Sequence, residues 1–132
     1  NHSPRYHNER DIKIFSDWIN TKMNNATTTE KQNFYTVNTG KISSLVKYRN
    51  LDWNKPSNTI VAHLYKDGLL FIHPDSKQAR TITVREAALL QSFPPDFDFI
   101  GSMGANYKMI GNAVPPNMAK SIADGISEIF NR

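Results

Sequence analysis

Apolar positions recur at helical spacing at both ends of the chain and cluster into short runs in its middle. Near the start, Ile12, Phe15, Trp18 or Ile19, and Met23 return every three or four residues, and Asn8 stands where an N-cap belongs. That rhythm predicts an amphipathic helix over 9–23 after an irregular opening at 1–7. At the far end, Met118, Ala119, Ile122, Ala123, Ile126, Ile129 and Phe130 share one side of a helix over 115–130, whose first turn Pro115-Pro116 presets. A third helix has marked ends. Thr83 can cap its first turn while Glu86 reaches back to the cap's own N–H, and Pro94-Pro95 stops it after Ala87-Ala88-Leu89-Leu90. In the middle, the β-branched run Thr59–Leu64 is answered by Leu69–His73 across Lys66-Asp67-Gly68, which predicts a β-hairpin closed by Pro74-Asp75.

The connecting stretches are less patterned. Residues 24–32 read as a polar loop, and 33–48 allow a short helix or a strand. Phe93, Phe97, Phe99 and Ile100 form an aromatic turn expected to pack under the hairpin. Gly101-Ser102-Met103-Gly104 reads as a flexible joint, Tyr107–Ile110 as a single helical turn, and Gly111-Asn112 as a tight polar turn. The fold class is therefore α+β: a small mixed domain with a β-hairpin or short antiparallel sheet and three or four helices. Its parts are an N-terminal helix and linker at 1–32, a middle region at 33–82, and a helical end at 83–132.

Composition narrows what such a chain does. The 132 residues suffice for one modest core, and no apolar run approaches the ~18 residues of a membrane span. With no signal peptide at the start, a cytoplasmic protein without membrane contact is the expectation. There is no cysteine, which excludes disulfides and thiolate metal sites. The histidines at 2, 7, 63 and 73 lack ligand spacing, so no metal is expected. The net charge of +4 is unevenly spread. Between 41 and 85, Lys41, Lys47, Arg49, Lys55, Lys66, Lys77, Arg80 and Arg85 face only Asp52, Asp67 and Asp75. A basic middle of this kind suits a phosphate backbone, although solvated surface lysines give the same count.

Two phrases carry more than composition does. Arg80 to Phe97, with Arg85-Glu86-Ala87-Ala88 and Leu90-Gln91-Ser92-Phe93-Pro94, resembles the ninth conserved block of the cytosine-5 DNA methyltransferases. Gly111-Asn112-Ala113-Val114-Pro115-Pro116, preceded by Tyr107, is similar to the tenth. Pro56–Val61 resembles the segment holding the Thr-hydrophobic pair of the family's target recognition region, and Asn1 to Arg10 resembles the stretch before that region. Two ordered blocks at familiar separation are more specific than either alone. The Pro-Cys nucleophile is missing, as are the Gly-rich cofactor turn and the Glu-Asn-Val and Gln-x-Arg-x-Arg blocks.

The resemblance implies the C-terminal portion of a bacterial restriction–modification enzyme, a piece of a larger α/β methyltransferase that is inactive alone. In the whole DNA (cytosine-5-)-methyltransferase, the target base leaves the stack, a cysteine thiolate adds to C6, and C5 takes the methyl of S-adenosylmethionine. No catalytic residue is expected in this chain. Thr59 and Ile60 match the recognition pair, and Arg49, Lys55, Lys66 and Gly68 are candidate contacts to double-stranded DNA. Asn112, Ala113 and Val114 would line the cofactor pocket, half-built without its other walls. Arg80, Arg85 and Glu86 are expected to brace rather than read: an arginine fork can satisfy several carbonyls, and Glu86 serves the cap. The partner is the catalytic domain of the same enzyme or a second subunit. Two alternatives stand beside this one: a subunit of a naturally split methyltransferase, and a non-catalytic, sequence-specific DNA-binding module.

Overall fold

The computed structural model describes residues 2–131. Its α-helices are α1 (Glu9–Asn20), α2 (Thr28–Thr39), α3 (Val84–Leu90), α4 (Met103–Asn112) and α5 (Pro116–Phe130), with short 3-10 turns at Met23–Asn25 and Ala62–Tyr65. Among the described residues there is no β-strand. The α+β class and its hairpin are therefore corrected to a helical fold joined by irregular segments. The correction has a physical cause. Val61 to Lys66 closes on itself through Leu64 N–H to Val61 O and Lys66 N–H to His63 O, both 3.0 Å, and is not extended. Leu69–His73 pairs elsewhere. Ile72 makes isolated bridges to Asn50 and Thr81, and Ile82 N–H reaches Phe71 O at 2.9 Å. Single bridges to two different segments leave no ladder.

The chain divides into two compact units. One comprises Ser3–Asn58 and Asp67–Ile82; the other comprises His2, Thr59–Lys66 and 83–131.

In the first unit the sequence rhythm of α1 becomes a core. Asn8 Oδ1 accepts from Asp11 N–H at 2.9 Å, capping the helix as expected. The apolar stripe buries Ile14, Phe15 and Trp18 against Tyr48, Ile72 and Ala79, with Phe34, Tyr35 and Leu69 packed around them. Trp18 also has its polar edge satisfied. Its Nε1–H donates to Asn24 Oδ1 at 3.0 Å, and Asn24 Nδ2 donates to Asn50 O at 2.8 Å. Burial, with Asp11 nearby, pushes the Tyr48 phenol up to about 12, so it stays a neutral packing group. The helix stops at Asn20, short of residue 23, because Thr21 turns its hydroxyl back onto Asp17 O at 2.7 Å and Lys22 takes a left-handed φ of 54°.

Helix α2 overturns the expected loop over 24–32. Thr27 Oγ1 accepts from Glu30 N–H at 3.3 Å and Glu30 accepts from Thr27 N–H at 2.7 Å, a full capping box. Gly40, in the left-handed region at φ 70°, ends it.

In the second unit, α4 packs on the Ala62–Tyr65 turn and on α3. The capping box expected at Thr83 is present: Glu86 N–H donates to Thr83 Oγ1 at 3.2 Å, and Thr83 N–H donates to Glu86 at 2.8 Å. Met103 and Gly104 of the expected joint, and the turn at 111–112, are corrected to helix. Ser102 Oγ accepts from Ala105 N–H at 3.2 Å, which starts α4 early, and the helix runs on through Gly111 and Asn112. The three phenylalanines of the aromatic turn pack on one another, with ring centres 4.8 to 5.2 Å apart, and not beneath a hairpin. Helix α5 forms where the sequence places it, with Pro116 in its first turn, and buries none of its residues.

Candidate nucleic-acid interface and the turn between the last helices

The residues singled out for DNA contact fall into both units. In the first, Arg49 is exposed and donates from Nη1 to Asn58 Oδ1 at 2.9 Å. Lys55 is exposed and sits 3.5 Å from Asp52. Trp53, 70% exposed, meets His73 edge-on with ring centres 5.4 Å apart. A wet indole between two basic residues offers a base or sugar an apolar face beside cations. Gly68 is buried and faces inward. Its φ is 68°, and an added Cβ would lie 3.4 Å from Thr81 Cβ, so its side faces Thr81 and not solvent.

In the second unit Thr59 is exposed while Ile60 is buried, so only the hydroxyl side of the pair faces out. Lys66 is exposed at the end of the 3-10 turn, its Nζ 6.0 Å from the centre of the Tyr65 ring, and Lys108 Nζ lies 5.9 Å from the same ring. Tyr65 and Lys108 were not legible as candidates from the sequence. Lys108 belongs to a helix whose full length the tight-turn expectation hid, and folding alone brings it to Tyr65.

The three bracing candidates each meet backbone or a cap. Arg85 Nη1 donates to Pro95 O at 2.8 Å and Phe97 O at 2.9 Å, tying the aromatic loop to α3. Arg80, in the first unit, donates from Nη1 to Thr81 O at 3.1 Å and from Nε to Gln78 Oε1 at 2.9 Å. Glu86 is occupied by the cap already described.

Asn112, Ala113 and Val114 form the end of α4 and the bend into α5. Ala113 is the C-cap, its N–H on Ile110 O at 3.2 Å, while Asn112 and Val114 are exposed. The bend is held by two neighbours that carried no assigned role in the sequence reading. Gln91, buried, donates from Nε2 to Ile110 O at 3.0 Å and Ala113 O at 3.3 Å, and Ser92 Oγ accepts from Asn117 N–H at 3.1 Å. On the other side of α4, Gly111 lies against the Val61–Ala62 backbone: a Cβ there would sit 2.6 Å from Val61 O. At this bend Asn112 leaves an amide exposed and Val114 an apolar side chain exposed.

The chain belongs to the C-5 cytosine-specific DNA methylase family, whose profile matches residues 2–128. Among its relatives it is 47% identical over 79 residues to the type II methyltransferase M.Bpa9945I of Bacillus paralicheniformis, covering 60% of this chain and 18% of the relative. With the type II methyltransferase M.AgeI of Thalassovita gelatinovora it shares 46% over 80 residues, 61% of this chain and again 18% of the relative. The type II methyltransferase M.AquIB of Picosynechococcus sp. is 40% identical over 105 residues, and there the match covers 67% of this chain and 72% of the relative. The chain thus spans less than a fifth of the first two relatives and most of the third. No solved structure matches it.

Proposed function

We propose that this chain is the C-terminal, DNA-reading part of a DNA (cytosine-5-)-methyltransferase and works only when docked to a catalytic polypeptide that carries the nucleophile. The observation that carries this reading is α5. Met118, Ile122, Ile126, Ile129 and Phe130 are all exposed along one stripe, with Phe130 84% accessible, in a chain that matches under a fifth of M.Bpa9945I. A contiguous apolar stripe on a well-formed helix signals a protein surface that covers it. The absence of cysteine agrees, because the thiolate that adds to C6 of the pyrimidine ring cannot come from this sequence.

Within that assembly the chain's residues bind and position. Arg49, Lys55 and Lys66 offer positive charge to the DNA backbone, and Thr59 offers a hydroxyl. Gly68, with its positive φ, shapes the turn packed on Thr81. Asn112, Ala113 and Val114 form one wall against the methionine end of S-adenosylmethionine, which supplies the methyl group when bound. Arg80, Arg85 and Glu86 hold the backbone that carries these groups.

The match to 72% of M.AquIB favours a second reading, in which the chain is one subunit of a split methyltransferase. Mixing this polypeptide with the catalytic part of a relative tests both readings. The mixture should transfer labelled methyl groups to cytosine in duplex DNA, and the chain alone should not. Methylation by the chain alone, or a stable and sequence-specific DNA complex with no gain in the mixture, would overturn the proposal, the latter outcome marking a non-catalytic binding module.

A further inference from the structure

Two adjacent residues of α3's exit serve both ends of the bend between α4 and α5. The last carbonyls of any α-helix and the first N–H groups of the next have no partner inside their own helices. Here Gln91 supplies donors to the first set, reaching Ile110 O and Ala113 O, and Ser92 supplies an acceptor to the second, taking Asn117 N–H. Ser92 is needed because Pro115 and Pro116 have no N–H and the N-cap residue Pro115 makes no side-chain cap, which leaves Asn117 the first donor of α5. The two side chains leave the backbone in different directions because Ser92 occupies the left-handed region at φ 63°. Gln91 is only 7% exposed, so water is a poor substitute for either of its bonds.

We propose that Gln91 and Ser92 are positioning residues: together they set the distance from the end of α4 to the start of α5 and so fix how Asn112–Val114 is presented to the methyl donor. This rests on the reading of that bend as a cofactor wall. The claim about geometry can be tested without it.

Gln91→Glu keeps the volume and removes the donors. Its carboxylate faces two carbonyl oxygens, while its protonated form can donate to one of them. Amide hydrogen exchange on the full chain, followed by NMR, should show Ala113 and Asn117 exchanging about tenfold faster than wild type near neutral pH. The gap should narrow as the pH falls and the carboxyl takes up its proton. Ala87, bonded to Thr83 O in the first turn of α3, should be unchanged. Ser92→Gly, which relieves the left-handed backbone while removing the hydroxyl, should speed Asn117 alone. Unaltered exchange at Ala113 and Asn117, or an equal rise that includes Ala87, overturns the proposal.

In the reconstituted enzyme Gln91→Glu should raise KM for S-adenosylmethionine about tenfold, leaving KM for DNA within about twofold. An equal loss toward both substrates would deny the bend a particular tie to the methyl donor. Failure of the wild-type mixture to methylate would count against the proposed function and leave the exchange result standing.

Discussion

Helices α1 and α5 are written with the same alternation of apolar and polar residues. In α1 Ile14, Phe15 and Trp18 are buried inside their own unit, although Ile12 of the expected stripe stays 43% exposed. In α5 the stripe stays open, with no residue of the helix buried among the described residues: Ile122 is 51% exposed and Ile126 49%. The contrast teaches that periodicity reports a helix with something to bury against, without saying whether that surface lies in the same chain. For α1 the answer comes from Tyr48, Ile72 and Ala79. For α5 the remaining cover is proposed to be the catalytic polypeptide.

The comparison can be broken by substitution. Trp18→Ala should cost about 3–5 kcal/mol in urea unfolding, because it empties a filled site and removes the indole N–H donor from Asn24. A cost below about 1 kcal/mol would mean that α1's stripe is not the core it appears in the packing. Gly111→Ala should cost about 1–3 kcal/mol, since the new methyl must displace the Val61 carbonyl or push α4 off the 3-10 turn. Thr27→Ala should cost about 1 kcal/mol through loss of the capping box, read as a lower thermal midpoint.

The fourth effect is smaller and depends on pH. His7 packs edge-on against Phe15 at 5.0 Å, and its Nε2 accepts from Thr81 N–H at 3.2 Å. Burial and the neighbouring Arg5 hold its pKa below the ordinary 6.5. The unfolded chain therefore takes up the proton first. The contribution of His7 is complete above pH 6.5 and fades as the pH falls through the lowered folded value. Thermal midpoints should drop as the pH falls below 6.5, with a shallower fall in His7→Gln. The smallest effect belongs to α5. Ile126→Ser should move the stability of the free chain by no more than about 0.5 kcal/mol, yet weaken association with the catalytic polypeptide. If instead it unfolds the free chain, α5 has a cover within this sequence and the contrast with α1 fails.

Signals that depend on nearest neighbours were legible in the sequence. The cap at Asn8, the box at Thr83 and Glu86, the stop before Pro94 and the span of α5 all formed where the residues predict. The same box at Thr27 and Glu30 is hidden in the sequence because α2 has no continuous apolar stripe to announce it, and Ala26-Thr27-Thr28-Thr29 reads as loop. The hairpin failed for a different reason. The β-branched residues at 59–61 and the apolar run at 69–72 are compatible with strands, but pairing is decided by distant segments. Leu69–His73 found 49–51 and 80–82, while the first run curled onto α4. The paired roles of Gln91 and Ser92 leave no local signal, since their partners lie 19 to 25 residues away.

The bare ribbon on α5 also dictates how the purified polypeptide behaves. Such a strip finds other copies of itself when nothing else is offered, so hydrodynamic radius should climb with protein concentration and fall back in mild detergent. Co-expression with the catalytic polypeptide should abolish that climb, by giving the greasy side of the helix a place to lie.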